Sequence, residues 1–485
     1  MQTEVISSHA SAAADDMEMF RPRGESVDRP DSQIGTFAGN TAPQASEGRI
    51  PQWKSIAIVA SSFMVIFTCC GQNFAFGVYQ ALYEEMALQP DTPFTGATPA
   101  QIDLIGTISI ALMTIGAPFS VAWAKRFSPR LVSLLGGVIF SAALVLASFG
   151  TRLWHFEVTQ GFLLGVGTCL PYMVAVTVAP GWFSTRRGLA MGIVLSGTGV
   201  GGVVWAPAIK ALVGRVGFRN SLRVAGALSF VLVTVSSIPL AWDAQTQARL
   251  NVENAARSHR ADGIFNVPLV DWRVAKSRSF LAQSLGAVFQ AAAYYTPVFF
   301  FASYASTLGY SAAAGANFIA LSNACNAVGK IAIGFFADRM GRLNTMFLTT
   351  LFSAVITVCF WLPSTYYGST SDSRGLFIAF TVFYGLFASA YVSLFPASLV
   401  EIFGAQNFAS VNGFLYMIRG MATLVGTPVS GILIRGGAGR AGPGAYLDMS
   451  VFVSVLLFAA TASVLWVRIE AMIGSGNRMT FKWKA

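Results

Sequence analysis

Twelve stretches of about 20 apolar residues follow one another along the chain, separated by short polar segments. About 20 residues of α-helix span the hydrocarbon core of a bilayer, and soluble proteins seldom contain such runs. The pattern therefore predicts an all-α membrane protein with twelve transmembrane helices. The predicted spans are residues 55–80, 102–124, 131–149, 155–180, 189–213, 221–242, 279–305, 314–337, 343–363, 376–400, 410–434 and 446–468.

The longest polar interruption inside the chain, residues 243–277, divides the spans six and six. This layout is typical of transporters that are built from two repeated helical bundles. It predicts an N-terminal six-helix bundle at 51–242, a cytosolic linker at 243–277 and a C-terminal six-helix bundle at 278–468. Residues 1–50 contain no long apolar run and predict a disordered cytosolic tail rather than a signal peptide; residues 469–485 predict a second cytosolic tail.

The distribution of basic residues predicts how the chain is oriented. The net charge is +10, and lysine and arginine are more numerous in the loops on the side of the linker than in the opposite loops. Because cytosolic loops carry the excess of basic residues, both termini are expected in the cytosol. The positive charge then reflects topology, so no nucleic-acid partner is expected. The plasma membrane is the default location, since no address signal is visible.

A basic turn follows the second span of each half. Residues 334–342 read GFFADRMGR, and residues 123–130 read WAKRFSPR. The later copy resembles the loop signature of the major facilitator superfamily, whereas the earlier copy has Lys125 where an aspartate is usual. The carboxylate of Asp338 can accept hydrogen bonds from a helix end and pair with arginine, which would latch one side of a transporter closed; the alternative is a solvated turn. The predicted gating residues are Asp338, Arg339, Arg342, Arg186 and Arg187.

Over about residues 50–468 the chain resembles fungal members of the monocarboxylate porter branch of that superfamily. The matching segments include GQNFAFGVYQ at 71–80, WFSTRRGLA at 182–190 and GTPVSG at 426–431. The resemblance implies the major facilitator fold, with two pseudo-symmetric six-helix bundles, and movement of a solute by alternating access. It also implies an anionic carboxylate substrate that is often carried with a proton. The acidic-glycine motif that commonly precedes the first span of such proteins is replaced here by PQWK at 51–54.

Two cations lie at membrane depth in the predicted spans. Lys330 lies where the resemblance places a substrate-associated arginine, but lysine lacks the planar fork that grips a carboxylate. The alternative is that the Lys330 ammonium reaches the nearby cytosolic edge. Arg419 lies about nine residues from either end of its span, where a guanidinium needs an anion or polar neighbours. Arg419 is therefore expected either to bind the substrate or to brace a helix interface.

No carboxylate lies near the middle of a predicted span, and Asn326 stands where the family often has an acid one turn before its arginine. Proton coupling usually needs a titratable group inside the cavity. The candidates are Glu157, Asp103 and His155, near the non-cytosolic ends of their spans, and each could equally be a solvated residue at a helix rim. Proton coupling is left open.

Neutral polar side chains fill out a predicted central cavity between the two bundles. Buried amides and phenols either bind a solute or join helices. The predicted substrate-binding residues are Lys330, Arg419, Asn326, Asn73, Gln160, Tyr294 and Tyr384.

These features predict a monomeric secondary transporter that moves a small organic anion of the monocarboxylate type through the lipid bilayer. The alternative is an efflux transporter for a larger, carboxylated secondary metabolite, which Lys330 and Asn326 favour because they depart from the porter pattern. A solute receptor without flux would need a folded cytosolic domain that the tails do not supply. No nucleophile–base pair or metal cluster is apparent in the loops, so no enzyme activity, cofactor or metal is predicted.

Overall fold

A computed structural model describes residues 52–257, 270–435 and 442–474 of the chain. Within these ranges the regular structure is helical throughout, with no β-strand. The predicted tail at 1–50, the predicted positions of the termini, and parts of the linker and of the second tail lie outside the described residues.

The helices that cross the bundle are numbered in chain order. They are α1 (Gln52–Phe74 and Gly77–Ala87), α2 (Pro99–Ile115 and Ala117–Arg126), α3 (Pro129–Ala147), α4 (Leu153–Phe156, Glu157–Leu163 and Leu164–Val178), α5 (187–216), α6 (218–237), α7 (Arg278–Thr307), α8 (Ala312–Met340), α9 (Arg342–Ile356, Thr357–Trp361 and Leu362–Tyr366), α10 (Ser371–Ala388 and 390–403), α11 (405–432) and α12 (Leu447–Gly474). Shorter helices are Ala179–Trp182, Ala244–Arg257, Trp272–Ala275 and Pro443–Tyr446.

The count of twelve crossings depends on two glycine turns and one bend. Nine helices in the described ranges are long and apolar enough to span a bilayer, and the pair bent by 45° around Gly116 adds a tenth. Two of the nine turn sharply, at Gly217 (φ 77°) and at Gly404 (φ 72°), so each is a pair of crossings. Glycine adopts positive φ at little cost because it lacks a Cβ. The predicted twelve-helix membrane fold is confirmed.

The helix ends near residues 179–187, 240–257 and 338–342 lie together on one side of the molecule, which we call the linker side. Hydrogen bonds tie them there: the Trp182 indole donates to the Ala241 carbonyl (2.8 Å), and the Trp242 indole donates to the Ala124 carbonyl (3.2 Å). This is the side that the charge pattern predicts to be cytosolic.

Two pairs of helices join the halves. Within each pair, the two helices approach each other closely at glycines. Helix α5 packs along α8, and α2 packs along α11. A Cβ added to Gly188 would lie 2.7 Å from the Gly334 carbonyl oxygen, and one added to Gly192 would collide with the Lys330 carbonyl oxygen. A Cβ on Gly420 would lie 2.5 Å from the Thr114 hydroxyl oxygen. Small residues let helix backbones approach in this way, and here they hold the linker side closed.

Candidate functional site

A small cavity lies between the halves and has walls from both. Residues of the N-terminal half and of the C-terminal half face each other across it, and the space open to the centre of a water molecule is about 10 Å³. That is room for roughly one water, so the cavity is nearly closed in this conformation. It is lined by Ile110, Thr114, Tyr172, Tyr295, Val392, Tyr416, Arg419 and Thr423.

Arg419 is the charged residue on the wall of this cavity. Its side chain is 4% exposed, and its Nη1 atom has no hydrogen-bond partner among the described residues. The guanidinium carbon lies 5.3 Å, 5.1 Å and 5.9 Å from the ring centres of Tyr391, Phe395 and Tyr416. Aromatic faces attract a cation but do not neutralise it, so a buried positive charge remains beside the cavity.

Lys330 lies in the contact between α5 and α8, and it does not line the cavity. Its ammonium donates to the Thr198 hydroxyl oxygen (2.7 Å) and to the Leu195 carbonyl oxygen (3.1 Å), both on the opposite half. The side chain is 2% exposed. The structure thus separates the two predicted substrate cations: Arg419 faces the cavity, whereas Lys330 links the halves.

The remaining predicted C-terminal residues join helices of their own half. The Asn326 amide donates to the Tyr294 hydroxyl oxygen (2.9 Å), and the Tyr384 hydroxyl donates to the Tyr294 carbonyl oxygen (3.2 Å). Tyr294 packs against the cavity residue Tyr295, with ring centres 4.8 Å apart. These residues therefore stand behind one wall of the cavity and support it.

The two predicted N-terminal residues likewise bond within their half. The Asn73 amide donates to the Thr168 hydroxyl oxygen (3.0 Å) and its carbonyl oxygen accepts from Ser109 (2.8 Å). The Gln160 carbonyl oxygen accepts a hydrogen bond from the Tyr83 hydroxyl (2.9 Å). Neither residue lines the cavity in this conformation.

The candidates for proton coupling lie away from the cavity. Asp103 accepts from the Thr107 hydroxyl (3.4 Å), and Glu157 begins the π-helical segment of α4. His155 uses Nδ1 to accept from the backbone amides of Thr151 (3.0 Å) and Arg152 (3.3 Å), as a helix-capping group does. None of the three lines the cavity.

Asp338 caps the start of α5 from the other half. Its two oxygens accept the backbone amides of Gly188 and Leu189, each at 2.8 Å. A carboxylate is favourable at a helix N-terminus because unpaired amides and the helix dipole point toward it. Nη2 of Arg342 lies 3.2 Å from Oδ1 of Asp338, and its Nη1 lies 3.7 Å from Oε2 of Glu401.

The other predicted gating arginines surround this contact. Arg187 donates through Nε to the carbonyls of Pro180 and Phe183, both at 2.9 Å. Arg339 lies over the ring of Phe335 (4.0 Å), and Arg186 is exposed.

The earlier, degenerate basic turn makes a different contact between the halves. The Lys125 ammonium donates to the hydroxyl oxygen of Ser410 on α11, at 2.9 Å. Lys125 thus stands where the later turn has Asp338. The contact that each basic turn makes with the opposite half on the linker side is therefore of opposite charge.

Most of the cavity wall was not predicted from the sequence. Tyr416 and Thr423 could be found because they lie three residues before and four residues after Arg419 on one helix face. Tyr172, Tyr295 and Val392 come from other helices, and an aromatic residue in an apolar span carries no local signal of where it faces.

The family model of the Major Facilitator Superfamily matches residues 61–370 and 319–476. The chain belongs to the major facilitator superfamily. The narrower resemblance to monocarboxylate porters stays a prediction.

Curated relatives of this superfamily member are fungal transporters. The agnestins efflux protein AgnL12 of Paecilomyces divaricatus is 28% identical over 422 residues, which are 87% of this chain and 89% of that protein. The MFS transporter asaE of Aspergillus flavus is 23% identical over 438 residues, 90% of each chain. Among solved structures, the proton:xylose symporter XylE bound to 6-bromo-6-deoxy-D-glucose matches with a TM-score of 0.64 at 10% identity, over 84% of this chain and 95% of that one. This last likeness bears on the fold alone.

Proposed function

We propose that this transporter exports a negatively charged secondary metabolite by alternating access. The observation that carries the proposal is the buried guanidinium of Arg419, which lines a cavity between the halves and whose Nη1 atom has no hydrogen-bond partner in the part of the chain that the structure describes. An unpaired buried charge is costly in a membrane protein and is kept where it meets a functional partner. An anionic substrate would be that partner.

The relatives support export as the direction of transport. One of them is named as an efflux protein and covers nearly the whole of both chains. The sequence alone predicted transport of a small anion of the monocarboxylate type without fixing its direction, with efflux of a larger secondary metabolite as the alternative. We now place export first.

The cycle that we propose uses the contacts of the linker side as its gate. In the described conformation Asp338, Arg342 and Lys330 bridge the halves, Arg342 by donating to the Ser184 carbonyl oxygen (3.3 Å), and the cavity is nearly closed. Rocking of the halves would break these contacts, widen the cavity toward the cytosol and admit the metabolite. Lys330 would then be released from Thr198 and free to meet the anion, which keeps a substrate role for it in the open state.

The proposal places the protein in the plasma membrane as a monomer with both termini in the cytosol. Proton coupling through Glu157, Asp103 or His155 is not part of it, because those residues lie away from the cavity.

Transport by yeast cells that express the chain tests the proposal. Cells would be loaded with a panel of acidic fungal metabolites, and with L-lactate and pyruvate as short monocarboxylates. We expect faster loss of at least one larger acid, abolished in Arg419→Gln and retained in Arg374→Gln, whose arginine donates to the Leu308 carbonyl away from the cavity. Flux of lactate or pyruvate alone, whether or not Arg419 is present, would reject export of a larger acid and restore the short-chain porter.

A further inference from the structure

Tyrosine side chains form much of the wall of the cavity beside Arg419. Three of its eight lining residues are tyrosines: Tyr172 from the N-terminal half, and Tyr295 and Tyr416 from the C-terminal half. The rings of Tyr172 and Tyr416 meet edge-to-face across the halves, with centres 5.9 Å apart and planes at 72°. The wall therefore presents ring faces and edges from both halves to one small space.

Besides the tyrosine hydroxyls, the polar groups of the cavity are two threonine hydroxyls and one guanidinium. Thr114 donates its hydroxyl to the Ala111 carbonyl (3.2 Å), and Thr423 donates to the Arg419 carbonyl (3.0 Å). These hydroxyl protons are already used, so the two oxygens offer lone pairs as acceptors. Among the described residues, Nη1 of Arg419 and the hydroxyl of Tyr416 are the cavity-lining donors without a hydrogen-bond partner. A ligand that fits would carry a negative group for Arg419 and would gain from hydroxyl donors.

From these contacts we infer that the substrate class is a planar aromatic acid, whose carboxylate or phenolate pairs with Arg419 while its ring packs among Tyr172, Tyr295 and Tyr416. Aromatic rings pair favourably in edge-to-face and offset arrangements, beyond the area that they bury. A short aliphatic acid would meet the charge of Arg419 but would leave the ring faces without a matching partner.

The cavity disfavours organic cations. Tyrosine and phenylalanine rings commonly bind cationic ligands, but here the guanidinium of Arg419 already lies beside Tyr391, Phe395 and Tyr416. A cationic ligand in the cavity would meet a like charge. The guanidinium of Arg419 already takes the place that a cationic ligand would have beside these rings, so the cavity favours an anion.

The size of the cavity depends on the separation of the halves. Ile110, Thr114 and Tyr172 belong to one half, and the other five lining residues belong to the other. Movement of one half against the other would part these walls, and bicyclic ligands would then fit between Tyr172 and Tyr416. The inference rests on the proposed function in that it assumes that substrate binds at Arg419.

Equilibrium binding to the purified full-length protein in lipid nanodiscs tests the inference without requiring flux. The probes are 2-naphthoate, its saturated analogue decahydro-2-naphthoate, and the neutral 2-naphthamide, measured by titration calorimetry. We expect 2-naphthoate to bind at least about tenfold tighter than either of the others. Equal binding of the aromatic and saturated acids would overturn the inference, as would absence of binding by protein with an intact thermal transition.

Variants separate the ring from the charge. Tyr172→Leu is expected to reduce the preference for the aromatic acid to less than about threefold, whereas Tyr172→Phe keeps it. Arg419→Gln is expected to bring 2-naphthoate and 2-naphthamide to similar affinities. Tyr310→Leu is the matched control, because Tyr310 packs against Arg374 (5.5 Å) outside the cavity. If Tyr172→Leu keeps the full preference, the inference is wrong even where Arg419→Gln fails to fold.

The binding and transport experiments fail separately. Export of an acid through Arg419 without any aromatic preference would reject the substrate class and leave the proposed function. Tight binding of 2-naphthoate without export of any acid would reject the proposed function and leave the site.

Discussion

The ammonium nitrogen of Lys330 lies 2.7 Å from the hydroxyl oxygen of Thr198, which belongs to the other half of the transporter. The same ammonium reaches the Leu195 carbonyl at 3.1 Å, and Lys330 is 2% exposed. In this conformation Lys330, the residue that the resemblance assigned to the substrate, therefore holds α5 against α8. Any anion that binds Lys330 has to compete with this contact.

Removing the Thr198 hydroxyl should loosen the linker side. Thr198→Val takes one acceptor from a buried ammonium, and a hydrogen bond to a charged group is worth about 1.5–3 kcal/mol. We expect a cysteine introduced at Val121, buried between α2 and α11, to be alkylated at least about tenfold faster. Thr461→Val is the control, because the Thr461 hydroxyl donates to the Leu457 carbonyl of its own helix.

A double-mutant cycle makes this test specific to the pair. In a Lys330→Met background, Thr198→Val should change the alkylation rate much less, since the ammonium that needs the hydroxyl is gone. Equal effects in both backgrounds would show that Thr198 acts on the gate without Lys330.

The cap that Asp338 provides can be followed at the two amides it accepts. Asp338→Ala removes both acceptors of the Gly188 and Leu189 amides, and loss of a helix cap costs about 0.5–2 kcal/mol. Hydrogen exchange at these two amides should accelerate several-fold. Asp271→Ala, which removes the cap of a linker helix, should leave them unchanged; protection that survives Asp338→Ala would mean that the carboxylate is not what holds α5.

The close approach at Gly192 should tolerate no added methyl group. Because a Cβ there would collide with the Lys330 carbonyl, Gly192→Ala has to push the halves apart, and overpacking costs about 1–3 kcal/mol. We expect a lower melting temperature in detergent together with faster alkylation at Val121→Cys. Gly375→Ala, on a helix with nothing within 4 Å of the new Cβ, should be neutral or stabilising by up to about 1 kcal/mol. Similar melting temperatures for the two variants would contradict the packing argument.

An experiment can decide whether Gln160 joins helices or, as the sequence predicts, binds the substrate. Tyr83→Phe removes the hydrogen bond to the Gln160 carbonyl oxygen and leaves that buried oxygen unsatisfied, at a cost of about 1–3 kcal/mol. We expect a lower melting temperature and an unchanged ratio of transport rates for two acids. Tyr366→Phe, at an exposed tyrosine, should change neither. A shifted substrate ratio in Tyr83→Phe would return Gln160 to the binding site.

The fold could be predicted from the sequence because its cause is periodic and local. A run of about 20 apolar residues must be a helix in a bilayer, since unpaired backbone groups are too costly there. The turns at Gly217 and Gly404 lie where the sequence predicts breaks, between the spans 189–213 and 221–242 and between 376–400 and 410–434; the pattern did not predict that each break is a single glycine with positive φ between two helices.

The site was only partly predictable, and for a different reason. Charge marks a residue as unusual within a membrane, so Arg419 and Lys330 stood out. Charge does not tell which neighbour a side chain faces, and Lys330 faces a hydroxyl and a carbonyl of another helix. The amides of Asn73 and Gln160 instead form hydrogen bonds with side chains of their own half, because buried amides are more often used to join helices.

We expect the guanidinium of Arg419 to make the transporter responsive to voltage. With no ion-pair partner for it among the described residues, an empty cavity carries a positive charge that a bound monoanion cancels. Displacing one elementary charge through the whole membrane field is worth about 2.3 kcal/mol per 100 mV. A cell interior that is electrically negative would then draw the unloaded carrier back toward the cytosol. Under the proposed export of an anion, the resting potential itself would drive transport, and imposed potassium diffusion potentials on proteoliposomes would reveal it as a rate that rises with inside-negative voltage.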